Sequence, residues 1–283
     1  MSDANRYDAI VVGGGHNGLV NGAYLAKAGL RTLILEKRHL VGGAAITEEL
    51  YPGFKFTTFS YALSLLRPQI IHELELPKYG FKPLSMPTSF APDEDGTHLL
   101  LGQDEGENMR EIARLSPHDA DAYKQYKHDI AEVCQAIKPL LDEMPPDPFS
   151  DDPEEAARLA ALAAHMRSLD KRVFHNAIRL LTGSAADFLD HYFENELLKG
   201  YLASSGTIGS KVGPRSQGSG LVLLYHVIGE TDGSFGAWAF HKGGNGGFTQ
   251  VLARAAESFG AEIRLDSPVA SVIIDGGRVR GVA

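Results

Sequence analysis

Glycines at positions 13, 15 and 18, followed by a glutamate at position 36, are the residues whose types and spacing point most directly to chemistry. That chemistry is the holding of a dinucleotide. Gly13 lets the chain turn sharply off a strand, and Gly15, without a Cβ, lets a pyrophosphate approach the backbone. Gly18 lets the following helix pack close to a sheet. A carboxylate at Glu36 accepts both hydroxyls of an adenosine ribose and repels a 2′-phosphate. Three elements must position these groups. The apolar run Ala9–Val12 supplies an entering strand, and residues 16–28 a helix that buries Leu19, Ala23 and Ala26. Thr32–Leu35 supplies a second buried strand that ends at Glu36. The helix opens with His16 and Asn17, and its N-terminus offers free N–H groups and partial positive charge to phosphates. His16 is read as positioning backbone. A glycine-rich turn in an ordinary parallel sheet is the alternative to a nucleotide-binding βαβ unit.

A second glycine pair follows closely, in Lys37-Arg38-His39-Leu40-Val41-Gly42-Gly43-Ala44-Ala45. In a simple NAD dehydrogenase the second strand usually leads into another helix. Gly42 and Gly43 instead let the backbone pass close to an extended cofactor, as in domains that bind FAD stretched across the sheet; a flexible loop is the plainer reading. Aromatic residues at Tyr51, Phe54, Phe56, Phe59 and Tyr61 suit strands or the wall around a planar ligand, and equally an aromatic core.

The formal charge is 27 − 36 = −9, which argues against a nucleic-acid partner. Cys134 is the only cysteine, which excludes internal disulfides, a zinc ribbon and a redox-active thiol pair. With 43% hydrophobic residues and no apolar stretch of membrane-spanning length, the expected compartment is cytoplasmic.

Further along, residues 68–76 suggest a short helix, and residues 84–92 with 97–101 a hairpin around Asp95-Gly96. Ser116-Pro117-His118-Asp119 opens a long helix marked by Tyr123, Tyr126, Ile130, Val133, Ile137 and Leu140. Asp152-Pro153 opens another, whose alanine- and leucine-rich body (156–166) reads as a buried core helix, with a lid or a bilayer-facing helix as alternatives. Short helices are expected at 174–181, 185–193 and 196–203, helix or strand at 221–228, and a strand at 236–240. Gly243-Gly244-Asn245-Gly246-Gly247 leads into a helix with Phe248, Val251, Leu252, Ala255 and Phe259 on one face. A strand at 262–265 and a hairpin of 269–274 with 278–283 close the chain.

Three blocks, residues 11–20 (VVGGGHNGLV), 41–49 (VGGAAITEE) and 236–250 (GAWAFHKGGNGGFTQ), resemble the phytoene desaturase-like FAD oxidoreductases, and the resemblance runs the whole length in the right order. It implies an α/β fold: a Rossmann-like FAD-binding domain of the glutathione reductase/amine oxidase type, interrupted by a mainly helical substrate domain. The FAD domain would comprise 1–83 and 240–283, and the insert 84–239. The resemblance implies FAD held by Gly13, Gly15, His16, Asn17, Gly18, Glu36, Lys37, Gly42, Gly43, Ala44 and Val269, the last beside the adenine. Ala44 stands where carotenoid desaturases often carry arginine, which argues against a polyene substrate. The family is considerably longer, so the chain is expected to be an N-terminal portion or truncated product, with the C-terminal part of the fold missing.

The expected activity is hydride transfer between a small hydrophobic substrate and flavin. A non-catalytic flavin- or partner-binding module and an NAD-dependent dehydrogenase are the rivals. Tyr225, His226, Trp238 and His241 cluster near the end of the insert and could face the flavin, with an ordinary packing or surface role the plainer reading of each, so no catalytic base is assigned. Membrane-surface association has no support beyond the alanine-rich helix, and the oligomeric state is not legible.

Overall fold

The computed structural model describes residues 6–231 and 234–283. The chain divides into two compact units, Met1–Ser85 with Trp238–Ala283 and, between them in sequence, Met86–Ala237.

The first unit opens with β1 (Ala9–Val12), α1 (His16–Lys27) and β2 (Thr32–Leu35). Every residue of β2 is buried, as a strand covered on both faces requires. Strands β1 and β2 pair in parallel with Ala9 opposite Thr32 and Val12 opposite Leu35. Gly29, at φ +87°, ends α1 in the left-handed region that glycine enters without strain. A hairpin of β3 (Thr47–Tyr51) and β4 (Phe54–Thr57) follows, then α2 (Pro68–Glu73), a 3₁₀ turn at Leu76–Tyr79 and β5 (Pro83–Ser85).

The second unit begins with the antiparallel hairpin β6 (Thr88–Pro92) and β7 (His98–Gly102). Residues 84 and 85 therefore belong to a separate strand, not to the hairpin expected from 84–92. Helix α3 (Glu105–Leu115), unforeseen in the sequence, is tied to β7 by the Asn108 amide, which accepts the Gly102 N–H at 2.7 Å and donates to the Gly102 carbonyl at 2.9 Å. The long α4 (Pro117–Ile137) starts as its sequence predicts, with Ser116 Oγ accepting the Asp119 N–H. It buries Tyr126, Ile130, Val133, Cys134 and Ile137, while Leu140 falls in the 3₁₀ turn that follows.

Helix α5 (Pro153–Ser168) is capped by Asp152 but has no buried residue, which corrects the expectation of a core helix. Alanine raises helix propensity without committing a face to the interior. Helices α6 (Lys171–Thr182), α7 (Ala185–Leu189), α8 (Glu196–Ser204) and α9 (Ser219–Val227) complete the bundle, with a short pair β8 (Glu230–Thr231) and β9 (Ser234–Phe235). The helix expected over 185–193 stops at Leu189, and the apolar segment at 221–228 is helical.

Back in the first unit, β10 (Ala239–His241) is shorter than the expected strand and pairs with β5. Helix α10 (Asn245–Ser258) leads into β11 (Glu262–Arg264), which pairs in parallel with β2 and gives the order β1-β2-β11. Strands β12 (Val272–Asp275) and β13 (Arg278–Val282) form the last hairpin, and Val269 precedes it outside any strand. Leu19, Ala23 and Ala26 of α1 share a core with Ile34 of β2 and Val251, Leu252, Ala255 and Ala256 of α10. The small residues let the two helices approach closely. Among the described residues no helix is long and apolar enough to cross a membrane.

Candidate dinucleotide site

The turn from β1 into α1 carries the three spaced glycines, two in the connecting loop and Gly18 in the first turn of the helix, each constrained differently. Gly13 has φ +106° and donates its N–H to the Leu35 carbonyl at 2.7 Å, so the turn is bonded to β2 as it leaves the sheet. A Cβ on Gly18 would overlap the Gly13 carbonyl oxygen, so the helix sits this close to the strand only with glycine there. Around Gly15 the nearest atom to such a Cβ is Gly43 Cα at 3.8 Å, which leaves the backbone open to a ligand. Gly15 caps α1 without any side-chain hydrogen bond, and the first turn holds no acid. The helix therefore directs its first N–H groups and its positive end at whatever occupies the loop. His16 and Asn17 are exposed at this end, and partial desolvation of its ring by the neighbouring loops holds the His16 imidazole below its ordinary value.

Glu36 is buried at the end of β2, and both carboxylate oxygens are already oriented. Oε2 accepts the Gly14 N–H at 2.7 Å and Oε1 the Arg38 N–H at 2.9 Å. A carboxylate has further acceptor sites on each oxygen, so these bonds aim the group without exhausting it. Gly14 is a site residue that the spacing argument passed over. A Cβ there would lie 3.0 Å from Glu36 Cβ and 3.1 Å from Val41 Cγ1, so the glycine is what admits the carboxylate; the unbroken run Gly13-Gly14-Gly15 was the available signal. Lys37 is exposed, and Arg38 instead pairs with Glu48.

The second glycine pair crosses the first loop. Gly42 donates to the Gly14 carbonyl at 2.8 Å, and Gly15 and Gly42 form a parallel bridge. Gly43 has φ +59°, and a Cβ on it would stand 3.0 Å from Gly15 Cα. Helix α10 holds this loop from behind, with Thr249 Oγ1 at 3.0 Å from the carbonyls of both Ala45 and Gly246. Gly43 and Ala44 remain exposed. On the other side of Glu36, Ser267 donates to the Glu36 carbonyl at 2.9 Å and Asp266 to that of Arg38 at 3.0 Å. These bonds hold Asp266 and Ser267, shortly before Val269 in the chain, beside the backbone of Glu36 and Arg38.

The glycine loops, the uncapped helix end and the oriented Glu36 are thus assembled in one unit, and a Cβ-free cradle beside a carboxylate fits a dinucleotide. His241, one of the sequence candidates, is buried against Phe81 and serves packing. Tyr225 and His226 belong to α9 in the second unit.

Residues 11–72 match the family described as NAD(P)-binding Rossmann-like domain. The chain is 43% identical, over 98% of its length and 50% of the relative's, to pyridine nucleotide-disulfide oxidoreductase domain-containing protein 2 of Rattus norvegicus. It is 23% identical, over its whole length and 44% of the relative's, to the chloroplastic prolycopene isomerase of Daucus carota. The crystal structure of an oxidoreductase from Methanosarcina mazei superposes with a TM-score of 0.55 at 17% identity, covering 97% of this chain and 55% of that one, which shows the shared fold. The chain spans about half the length of the curated relatives it matches. The first relative's name speaks of a disulfide; here the single cysteine, Cys134, is buried and its thiol is pushed up to about 12 by that burial. The chain is a homologue of pyridine nucleotide-disulfide oxidoreductase domain-containing protein 2, with prolycopene isomerases as distant relatives, and it carries a Rossmann-like dinucleotide-binding fold.

Proposed function

We propose that the chain is the FAD-binding portion of an oxidoreductase that moves hydride between a small hydrophobic substrate and flavin. In this reading the first unit, which resumes at Trp238, holds the cofactor and the second, Met86–Ala237, serves the substrate. The observation that carries it is the crossing of the two glycine loops at Gly15 and Gly43. A plain NAD site needs only the first loop, whereas a cofactor extended past Gly42 and Gly43 needs backbone that can be approached along its middle. Bound FAD supplies the hydride chemistry. The chain's own residues bind and orient it: the start of α1 faces the pyrophosphate, Glu36 the ribose, and Gly43 and Ala44 the stretch beyond.

The test is a visible spectrum of the purified chain and titration with FAD and, separately, NAD and NADP. FAD retained in preference to both nicotinamide cofactors supports the reading, and NAD retained in preference to FAD defeats it. A second reading, a flavin- or partner-binding module without turnover, is favoured by the chain's spanning half the length of its relatives. Reduction of bound flavin by a substrate separates the two.

A further inference from the structure

Residues 58–63 run beside the second glycine loop. Ser60 donates its N–H to the Ala44 carbonyl at 3.1 Å, and Thr58 to that of Ile46 at 3.4 Å. The Ser60 carbonyl in turn accepts from Asn245 Nδ2 at 2.6 Å, and Asn245, the first residue of α10, is fully buried. Leu63 and Ala239 then exchange both backbone hydrogen bonds, at 2.7 and 2.9 Å. The backbone is therefore pinned on either side of Tyr61 and immediately after Trp238. The two rings meet with centroids 6.4 Å apart and planes inclined by 47°. They are not spent on the core: Tyr61 is 52% exposed and Trp238 is half-buried.

These contacts give the first unit a linear order. Glu36 is bonded to Gly14, the loop carrying Gly14 and Gly15 crosses Gly42 and Gly43, Ala44 is bonded to Ser60, and Tyr61 touches Trp238. A dinucleotide with one ribose at Glu36 and its pyrophosphate at the start of α1 directs its other end along this order. Resting on the FAD reading above, we propose that Tyr61 and Trp238 form the aromatic platform that the isoalloxazine ring of bound FAD meets. A planar ring system gains from offset or edge contact with such side chains, which have few torsions to freeze.

The experiment uses the whole chain. It is saturated with FAD and freed of unbound cofactor by gel filtration, and emission is read per bound FAD, counted by absorbance after denaturation. Excited flavin touching tyrosine or tryptophan takes an electron from the ring, which returns, and the emission is lost; phenylalanine is too hard to oxidise to do this. Trp238 is the only tryptophan, so the substitution removes every indole. Bound flavin should be dim in the wild type and several-fold brighter in the Tyr61→Phe/Trp238→Phe variant, with each single variant between. The phenylalanine rings preserve packing, and circular dichroism checks the fold. Equal brightness at equal occupancy overturns the platform and leaves the FAD reading standing. A wild-type chain that retains no FAD overturns both.

Discussion

The Glu36 carboxylate accepts the Gly14 amide at 2.7 Å, so the acid at the end of β2 is tied to the middle of the glycine loop 22 residues earlier. One residue thus fixes the loop and, in the proposed reading, also presents acceptors to a ribose. Glu36→Ala leaves the buried Gly14 N–H without its acceptor, which costs about 1–3 kcal/mol of stability. Glu36→Gln keeps one carbonyl oxygen for that amide and loses the charge. Since hydrogen bonds to a charged group are worth about 1.5–3 kcal/mol, FAD affinity should fall by roughly tenfold to a hundredfold. Denaturant melts and FAD titrations of both variants separate the tasks. Unchanged affinity in Glu36→Gln would remove Glu36 from the cofactor site.

Glycine is required for different reasons at different places. Gly18→Ala drives a methyl into the Gly13 carbonyl, an overpacking that costs about 1–3 kcal/mol or more. Gly200 lies inside α8 with nothing within 4 Å of a Cβ, so Gly200→Ala should stabilise by roughly 0.5–1 kcal/mol through helix propensity alone. Thermal melts should move in opposite directions. A neutral Gly18→Ala would mean that the loop can shift away from α1.

Local pattern made β1, α1 and β2 legible, because the apolar run, the glycines and the period of Leu19, Ala23 and Ala26 all agree over one short stretch. What depended on distant partners was not. Helix α10 has no capping side chain of its own. The hydroxyls of Thr57 and Thr47, from the β3–β4 hairpin, accept the N–H groups of Asn245 and Gly246 at 3.4 and 3.0 Å. Nothing near Gly243–Gly247 in sequence announces that. Strand β5 is not legible as a separate strand for the same reason, since its partner Phe240 opposite Leu84 comes from the far side of the insert.

Helix α5 shows the opposite failure, where composition suggests burial and the structure leaves no residue of the helix buried. Leu159→Gln on that helix should change stability by less than about 0.5 kcal/mol. Leu180→Ala on α6, where the side chain is fully buried, should cost about 2–5 kcal/mol. A large loss from Leu159→Gln, by chemical denaturation, would show that α5 is covered in solution.

His241 makes the stability of the first unit depend on pH. Its ring is buried, Nε2 accepts the Lys82 N–H at 3.3 Å, and among the described residues Nδ1 has no partner. Burial lowers its pKa, so the folded state disfavours the imidazolium. The unfolded chain takes up this proton near pH 6.5, the folded chain only at lower pH. Stability is therefore full above the unfolded value and falls as pH drops through it. His16, whose pKa is also lowered, acts with the same sign, and His118 with the opposite one, because its hydrogen bond to Asp119 raises its pKa, so the wild-type profile alone mixes the three. The difference from His241→Gln isolates the buried ring: the variant's Tm should decline less than the wild type's between about pH 7.5 and pH 5. Parallel Tm profiles would mean that the folded chain protonates His241 as easily as the unfolded one.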